Sequence, residues 1–363
     1  MNKMENYGLS GRFAALADMY PDLKPGRIIS QYGGLYKVVT EAGELLAEVS
    51  GKFRFETTAV TDYPAVGDFV MLDQTRDLDS TAVIHCVLAR KNLLTRKTGA
   101  QRKDTRAASD SQVIAANIDV IFICMSLNND YNLRRLERYM AIAWESGAQP
   151  VVILTKADLC DDIQAKTAEV AATAIGAGIL VTSSLDPACL EQVRSYIGQG
   201  KTVCFVGSSG VGKSTLINCL AGKDILATNG LRNDDRGRHT TTRRELLLLP
   251  AGGAVIDNPG MRELGVESAD LSKSFADIDE LAAACRFKDC AHDKEPGCAV
   301  RAGIEAGKLD AKRLENYLKL KKEAGYEGLN SRQIETQKIN TMFAGFGGIK
   351  NARKFAKEKN KRP

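Results

Sequence analysis

Thr202-Val203-Cys204-Phe205-Val206-Gly207-Ser208-Ser209-Gly210-Val211-Gly212-Lys213-Ser214-Thr215 decides how this chain folds. The first five residues form an apolar run of buried-strand type, and Ser214 to Leu220 carry the apolar spacing of a helix. Between them, Gly207 and Gly212 allow backbone conformations that a side chain would obstruct, so successive N–H groups can converge on phosphate oxygens beside the positive end of a helix. The candidate phosphate contacts are therefore Gly207, Ser208, Ser209, Gly210, Val211, Gly212, Lys213, Ser214 and Thr215. Lys213 is placed to neutralise β and γ phosphates, and the Ser214 hydroxyl to reach Mg²⁺. The alternative is a glycine-rich turn that matches by chance.

A phosphate loop does not choose a base. Upstream, Pro150 to Leu154 reads as a second buried strand, with Thr155-Lys156-Ala157-Asp158 at its carboxyl end, where open α/β sheets bind ligands. The Asp158 carboxylate can accept from the N1–H and exocyclic amine of guanine, whereas adenine would leave it unpaired. Lys156 would pack along the base, and Thr182-Ser183-Ser184 would support it from the far side. Downstream, Ala254 to Asp257 reads as a strand whose final Asp257 can hold Mg²⁺ through water, and Gly260 offers an N–H to a γ-phosphate. Arg236-Gly237-Arg238-His239-Thr240-Thr241-Thr242 lies between, a polar loop in which Thr241 or Thr240 could close on the metal. The implied ligand is GTP with Mg²⁺. The base-reading segment precedes the phosphate loop, the reverse of the usual GTPase order.

Residue 261, the position after Asp257-Asn258-Pro259-Gly260, commonly carries a water-orienting Gln and here is Met261, which has no useful hydrogen bond to offer. Slow intrinsic hydrolysis follows. His239 is the candidate substitute for positioning water, against a structural or partner-contacting role.

Nine cysteines and no signal-type amino terminus argue against disulfides. Six of them sit in or beside apolar runs or need no special role, while Cys285, Cys290 and Cys298 group with His292 in a Cys-x₄-Cys-x-His-x₅-Cys pattern. Three thiolates and an imidazole in a polar, turn-rich segment suit a closed tetrahedral Zn²⁺ site, structural rather than catalytic, one per chain. Helical spacing appears on both sides, from Leu271 to Ala284 and from Leu309 to Ala324, the second expected to expose a basic face that includes Arg313.

From Gly26 to Leu94 five short β-type runs (Arg27 to Ile29, Leu35 to Thr40, Leu45 to Val49, Phe69 to Leu72, Val83 to Leu88) alternate with glycine turns, fitting a small closed barrel of OB type. Tyr32, Tyr36, Lys37, Lys52, Phe53, Arg54 and Phe55 are its candidate RNA contacts, with core packing as the competing role for the aromatics. The net charge is only +5, yet Lys350 to Arg362 holds seven basic residues against Glu358 alone. A second basic stretch, Arg90 to Arg106, also points to phosphate-backbone contacts. No run approaches the ~18 apolar residues of a membrane helix, so a cytoplasmic protein without membrane contact is expected.

With these segments in view, the chain resembles the circularly permuted GTPases, and among them the bacterial ribosome-small-subunit-dependent GTPase A family. The resemblance runs from about Gly26 to about Glu323 and rests on Thr155 to Asp158, Gly207 to Ser214, Gly237 to Thr242, Asp257 to Gly260 and the Cys285 to Cys298 cluster. Two positions depart from the usual pattern: Asn258 stands where Thr is frequent, and Thr155 where Asn is common. The second loss removes an amide that contacts base and phosphate loop, implying modest base affinity. The expected architecture is multidomain: an N-terminal extension (1–25), an all-β OB-type barrel (26–95), a circularly permuted α/β P-loop GTPase domain (96–265), a mainly helical zinc-binding domain (266–330) and a basic tail (331–363). The resemblance implies a monomer that binds the small ribosomal subunit and its rRNA during late maturation, with turnover stimulated by that particle. Two alternatives stay open: an RNA-binding assembly protein that uses GTP mainly as a ligand, and a P-loop NTPase of another class.

Overall fold

The computed structural model describes residues 3–73, 81–97, 111–128, 130–183, 188–208, 210–226, 244–257, 274–288, 290–293 and 295–324. After two short helices, α1 (Lys3–Asn6) and α2 (Arg12–Ala17), five strands follow: β1 (Lys24–Tyr32), β2 (Leu35–Thr40), β3 (Gly43–Val49), β4 (Phe69–Asp73) and β5 (Ala82–Val87). They close on themselves, because β1 pairs antiparallel with both β2 and β4 while β3 pairs parallel with β5. Alternate side chains (Ile28, Val38, Ala47, Val70, Leu72, Ile84) point inward and are fully or nearly fully buried. Gly26 has to be small: a Cβ there would lie 2.5 Å from Val38 Cγ1 and 2.7 Å from Leu72 Cδ2. The five strands lie where the residue pattern places them, within three residues. After β3 comes helix α3 (Gly51–Glu56), capped by the Ser50 hydroxyl, which accepts from the Phe53 N–H at 3.0 Å.

A separate hairpin, β6 (Leu93–Lys97) with β7 (Ser111–Ala116), leads into the second layer system. There β8 (Val120–Ser126), β9 (Gln149–Thr155), β10 (Gly178–Val181), β11 (Thr202–Val206) and β13 (Ala254–Asp257) run parallel, with β12 (Glu245–Leu248) antiparallel at one side. Their order is β10-β9-β8-β11-β13-β12, and helices α4 (Leu133–Ser146), α5 (Ile163–Thr173), α6 (Ala188–Tyr196) and α7 (Lys213–Ala221) connect or flank them. β8 and β11 are neighbours although the chain reaches one 75 or more residues before the other, and the winding reverses direction between them. Ligands bind at that kind of switch point, beyond the carboxyl ends of the strands. The strands are hydrophobic throughout because both sheet faces are covered; all seven residues of β8 are buried.

The barrel and this sheet form one continuous surface, since β1 pairs antiparallel with β12 at Ser30 and Glu245. A buried arginine fixes the joint from below. Arg27 Nε donates to Gly67 O at 3.2 Å, Nη2 to Thr202 Oγ1 at 2.7 Å and Nη1 to Tyr7 O, while its guanidinium lies 4.7 Å from the Phe69 ring centroid. Burial lowers its pKa to about 10, partly opposed by Asp119 and Asp68, so it stays charged at neutral pH. Arg27 thereby ties the amino-terminal segment, the barrel and β11 together.

The carboxyl-terminal part consists of α8 (Ala276–Ala283), α9 (Ala299–Glu305) and α10 (Ala311–Ala324). Arg313, expected on an exposed basic face, is instead buried: Nη1 donates to Glu137 Oε1 of α4 at 2.7 Å, and Nε and Nη2 engage Asp277 at 2.8 and 2.9 Å. Desolvation alone would lower its pKa, but the two carboxylates outweigh it and hold the pKa above its usual value. Those carboxylates are the physical reason for the inward turn, because without Arg313 the buried Glu137 would lack a cation. Two members of the basic stretch also have structural partners. Arg90 pairs at 2.7 Å with Asp68, itself 0% exposed, and Lys91 pairs with Asp119. Residues 98–106 and the basic tail lie outside the described residues. Among the described residues no helix is long and apolar enough to cross a membrane.

Candidate nucleotide and metal sites

The loop after β11 is shaped by one steric limit. A Cβ on Gly207, whose φ is +147°, would sit 2.4 Å from the Cys124 carbonyl oxygen of β8, so only glycine lets the two strands lie this close as the loop departs. Gly210 (φ +78°) and Gly212 (φ +100°) continue the left-handed turn, and α7 begins at Lys213. The Lys213 ammonium folds back over the loop and donates to Gly207 O at 2.8 Å and Ser208 O at 2.6 Å. A curled backbone of this kind, with a lysine over it and a helix start beneath, suits a polyphosphate. Asp257 ends β13, two strand spacings from Ser126 at the end of β8, and is half-buried.

The base-reading segment comes to the same sheet edge. Thr155 ends β9, and its buried hydroxyl donates to Val211 O of the phosphate loop at 2.6 Å. The phosphate-loop contact expected to vanish with the Asn amide is therefore supplied by the shorter side chain, which is a hydroxyl donor of the right reach. Lys156 adopts the left-handed conformation (φ 57°, ψ 41°), uncommon for a residue with a Cβ and a form of strain that gathers at ligand sites. Ala157 N–H donates to Thr182 O at 3.2 Å, and the Ser183 hydroxyl donates to Asp158 Oδ1 at 2.6 Å, fixing one carboxylate oxygen at an exposed position. Thr155, Lys156, Ala157, Asp158 and Ser183 thus converge beside Gly207, Ser208, Gly210, Val211, Gly212, Lys213, Ser214 and Thr215. Ser184, Ser209, His239, Thr240, Thr241, Gly260 and Met261 lie outside the described residues.

Asp130 escaped the sequence reading. It accepts a hydrogen bond from the Ser208 hydroxyl and is held by Arg135 Nη1 at 2.9 and 2.8 Å to its two oxygens. Burial would raise its pKa, but Ser208 and Arg135 together outweigh that and keep the carboxyl below its ordinary value. Nothing local marks this residue; the only signal is the polar run Asn128 to Asn132 at the end of β8, the strand that the phosphate loop must pass. Asp130 precedes α4 and is held by that helix's Arg135, while Glu137 of the same helix accepts from Arg313 and from Asn316 Nδ2 of α10, so α4 is linked to the phosphate loop through Asp130 and bonded directly to the carboxyl-terminal helices.

The donor atoms of Cys285, Cys290, His292 and Cys298 lie within 4.8 Å of one another. Cys285 Sγ and Cys298 Sγ are 4.0 Å apart, and His292 Nδ1 is 3.7 and 3.5 Å from them. Metal–sulfur bonds of ~2.3 Å in a tetrahedron give edges of ~3.8 Å, so the four groups fit one metal ion. Burial first, then Lys321, lowers the His292 pKa and favours the neutral imidazole that can ligate. Cys298 Sγ also accepts from the Arg301 N–H at 3.5 Å at the start of α9, linking the cluster to that helix.

Together, a P-loop and a base-reading segment in reversed chain order on one parallel sheet define a circularly permuted P-loop GTPase. Comparison with known proteins agrees. Residues 87–267 match the RsgA GTPase family model. Small ribosomal subunit biogenesis GTPase RsgA 2 of Lactiplantibacillus plantarum is 50% identical over 329 residues, covering 90% of this chain and 91% of that protein. A protein of the same name from Listeria monocytogenes is 43% identical over 330 residues, 89% of this chain and 90% of its own length. Among solved structures, YjeQ from Thermotoga maritima superposes with a TM-score of 0.60 at 28% identity, covering 83% of this chain and 98% of that one. YloQ, described as a circularly permuted GTPase, gives 0.57 at 26% identity, over 84% and 95% of the two chains. The chain belongs to the RsgA GTPase family, and it is a GTPase.

Replacing Thr155 by Val keeps the shape of the side chain and leaves the Val211 carbonyl buried without its donor. Such a loss costs about 1–3 kcal/mol, and titration with fluorescent GDP should show affinity reduced roughly five- to a hundredfold. Unchanged affinity would mean that this contact does not hold the phosphate loop.

Proposed function

We propose that this GTPase assists late maturation of the small ribosomal subunit, binding that particle and its rRNA and hydrolysing GTP slowly until it does so. Its relatives carry the name small ribosomal subunit biogenesis GTPase along nearly their whole length, and that shared length carries the reading. A cytoplasmic monomer is the form that fits such a task. The proposed units are the amino-terminal extension to residue 25, the RNA-binding barrel to 95, the GTPase domain to 265, the zinc-binding helices to 330 and the basic tail.

Within the site, Asp158 reads guanine, supported by Lys156 and by Ser183 and Ser184. The backbone N–H groups of Gly207 to Gly212 surround the phosphates, while Lys213 neutralises their charge in the transition state. Ser214 and Asp257 would hold Mg²⁺, which would supply further charge neutralisation at the phosphates. Gly260 N–H would meet the γ-phosphate, Thr241 or Thr240 would offer its hydroxyl to the metal, and His239 would orient water in place of the Gln that Met261 replaces. The decisive experiment is GTP hydrolysis with and without purified small subunits: strong stimulation is expected, and none would remove the proposal.

The cysteine and histidine cluster holds one structural Zn²⁺ per chain, all four positions being filled by protein. Metal analysis of the purified protein should return one zinc per chain, and a strong chelator should lower its melting temperature. A zinc-free preparation with an unchanged melting temperature contradicts this assignment.

A further inference from the structure

Outside the nucleotide site, a cleft lies where the barrel, the hairpin and the first residue after the 227–243 segment meet. It encloses about 410 Å³, within the range of small-molecule sites. Tyr36 forms part of its floor. That side chain is only 3% exposed. Tyr63 and Val60 supply a ring and an apolar wall, Val60 being 66% exposed, and Gln31 stands at the mouth.

Charge narrows the occupant. Arg54 and Arg244 line the cleft, and among the described residues no carboxylate does. Arg54 is engaged only by an exposed pair with Glu48 at 3.4 Å, of the kind that contributes little and yields readily. An occupant should therefore be flat and partly apolar, carry hydrogen-bonding edges and bring negative charge. A nucleobase with its phosphate has all four properties. A duplex keeps its bases stacked and paired, so the chemistry selects a single strand whose base can be splayed out.

We propose that this cleft binds one unstacked nucleobase of single-stranded RNA, with Tyr63 as the stacking face, the Tyr36 hydroxyl and Gln31 amide on the base edge, and Arg54 and Arg244 toward the phosphates. The proposal rests on the RNA-binding reading of the barrel and gives it a specific seat. The location carries a consequence for the GTP site. Arg244 donates to Val113 O at 2.7 Å, and its own carbonyl accepts from Ser30 Oγ at 3.2 Å. The next residue, Glu245, is in register with Ser30 of the barrel on one side and with Asp257 on the other. A bound base thus touches the strand that separates the barrel from the end of the phosphate site.

The test uses the full-length protein and a thiouridine-labelled single-stranded RNA hexamer, with photo-crosslinks mapped by peptide sequencing. Crosslinks are expected in the peptides containing Tyr36 and Tyr63. Tyr63→Leu keeps an apolar wall but loses the stacking face, and hexamer binding should weaken about five- to tenfold. Tyr36→Phe removes only the hydroxyl and should weaken binding by a smaller factor. Both variants should keep basal GTP hydrolysis and lose part of the stimulation by small subunits. Crosslinks confined to other segments, or hexamer binding unchanged in both variants, would overturn the proposal. Displacement of the hexamer by AMP at comparable concentration would assign the cleft to free nucleotides instead and overturn it too. Wild-type protein that is stimulated by subunits yet never crosslinks here defeats only the cleft, whereas absence of stimulation in wild type defeats the functional reading itself.

Discussion

The close passage of Gly207 over the Cys124 carbonyl is the constraint on which the rest of the molecule turns. It lets the phosphate-loop strand lie beside a strand the chain formed some eighty residues earlier, and so places the reversal of winding at the middle of the sheet. Because β9 follows β8 outward, Thr155 to Asp158 then arrive at the same edge as the phosphate loop from the opposite side. Chain order is immaterial to that meeting; strand order decides it. Permutation preserves the sheet and moves the termini, which frees both ends of the GTPase unit for attachment.

A buried cation secures each attachment. On the barrel side Arg27 joins Tyr7, Gly67 and Thr202, and β1 continues the sheet through β12. On the helical side Arg313 joins Asp277 of α8 to Glu137 of α4. Buried charges are poor sources of net stability but costly to leave unpaired, so such contacts specify one docking geometry more than they strengthen it. Helix α4 links the GTP site to the metal-binding helices, since its Arg135 holds Asp130, which accepts from Ser208, and its Glu137 accepts from Arg313.

What could be read from the residues alone was whatever is local. The phosphate loop, the base-reading segment and the Cys-x₄-Cys-x-His-x₅-Cys spacing each occupy fewer than fifteen residues and carry their geometry with them. Strand positions in the barrel followed from alternation between glycine turns for the same reason. What escaped was every feature made by partners far apart in the chain. Arg313 looked like a surface cation because its two carboxylates lie 36 and 176 residues away. Arg90 looked like a phosphate contact because Asp68, its buried partner, reads from sequence as an ordinary turn residue. Thr155 looked like a loss because its acceptor, the Val211 carbonyl, is a backbone atom that no side-chain pattern reveals.

The account's central claim is that two segments in reversed order form one guanine-specific site. Calorimetry of the Asp158→Asn protein with guanosine and xanthosine diphosphates tests it most directly, because an amide offers a donor where the carboxylate offers only acceptors. The predicted result is a reversal of preference, with guanosine diphosphate favoured by the wild type and xanthosine diphosphate by the variant, while Lys213-dependent phosphate binding persists. An unchanged preference for guanosine diphosphate would contradict the claim that Asp158 reads the base above this phosphate loop.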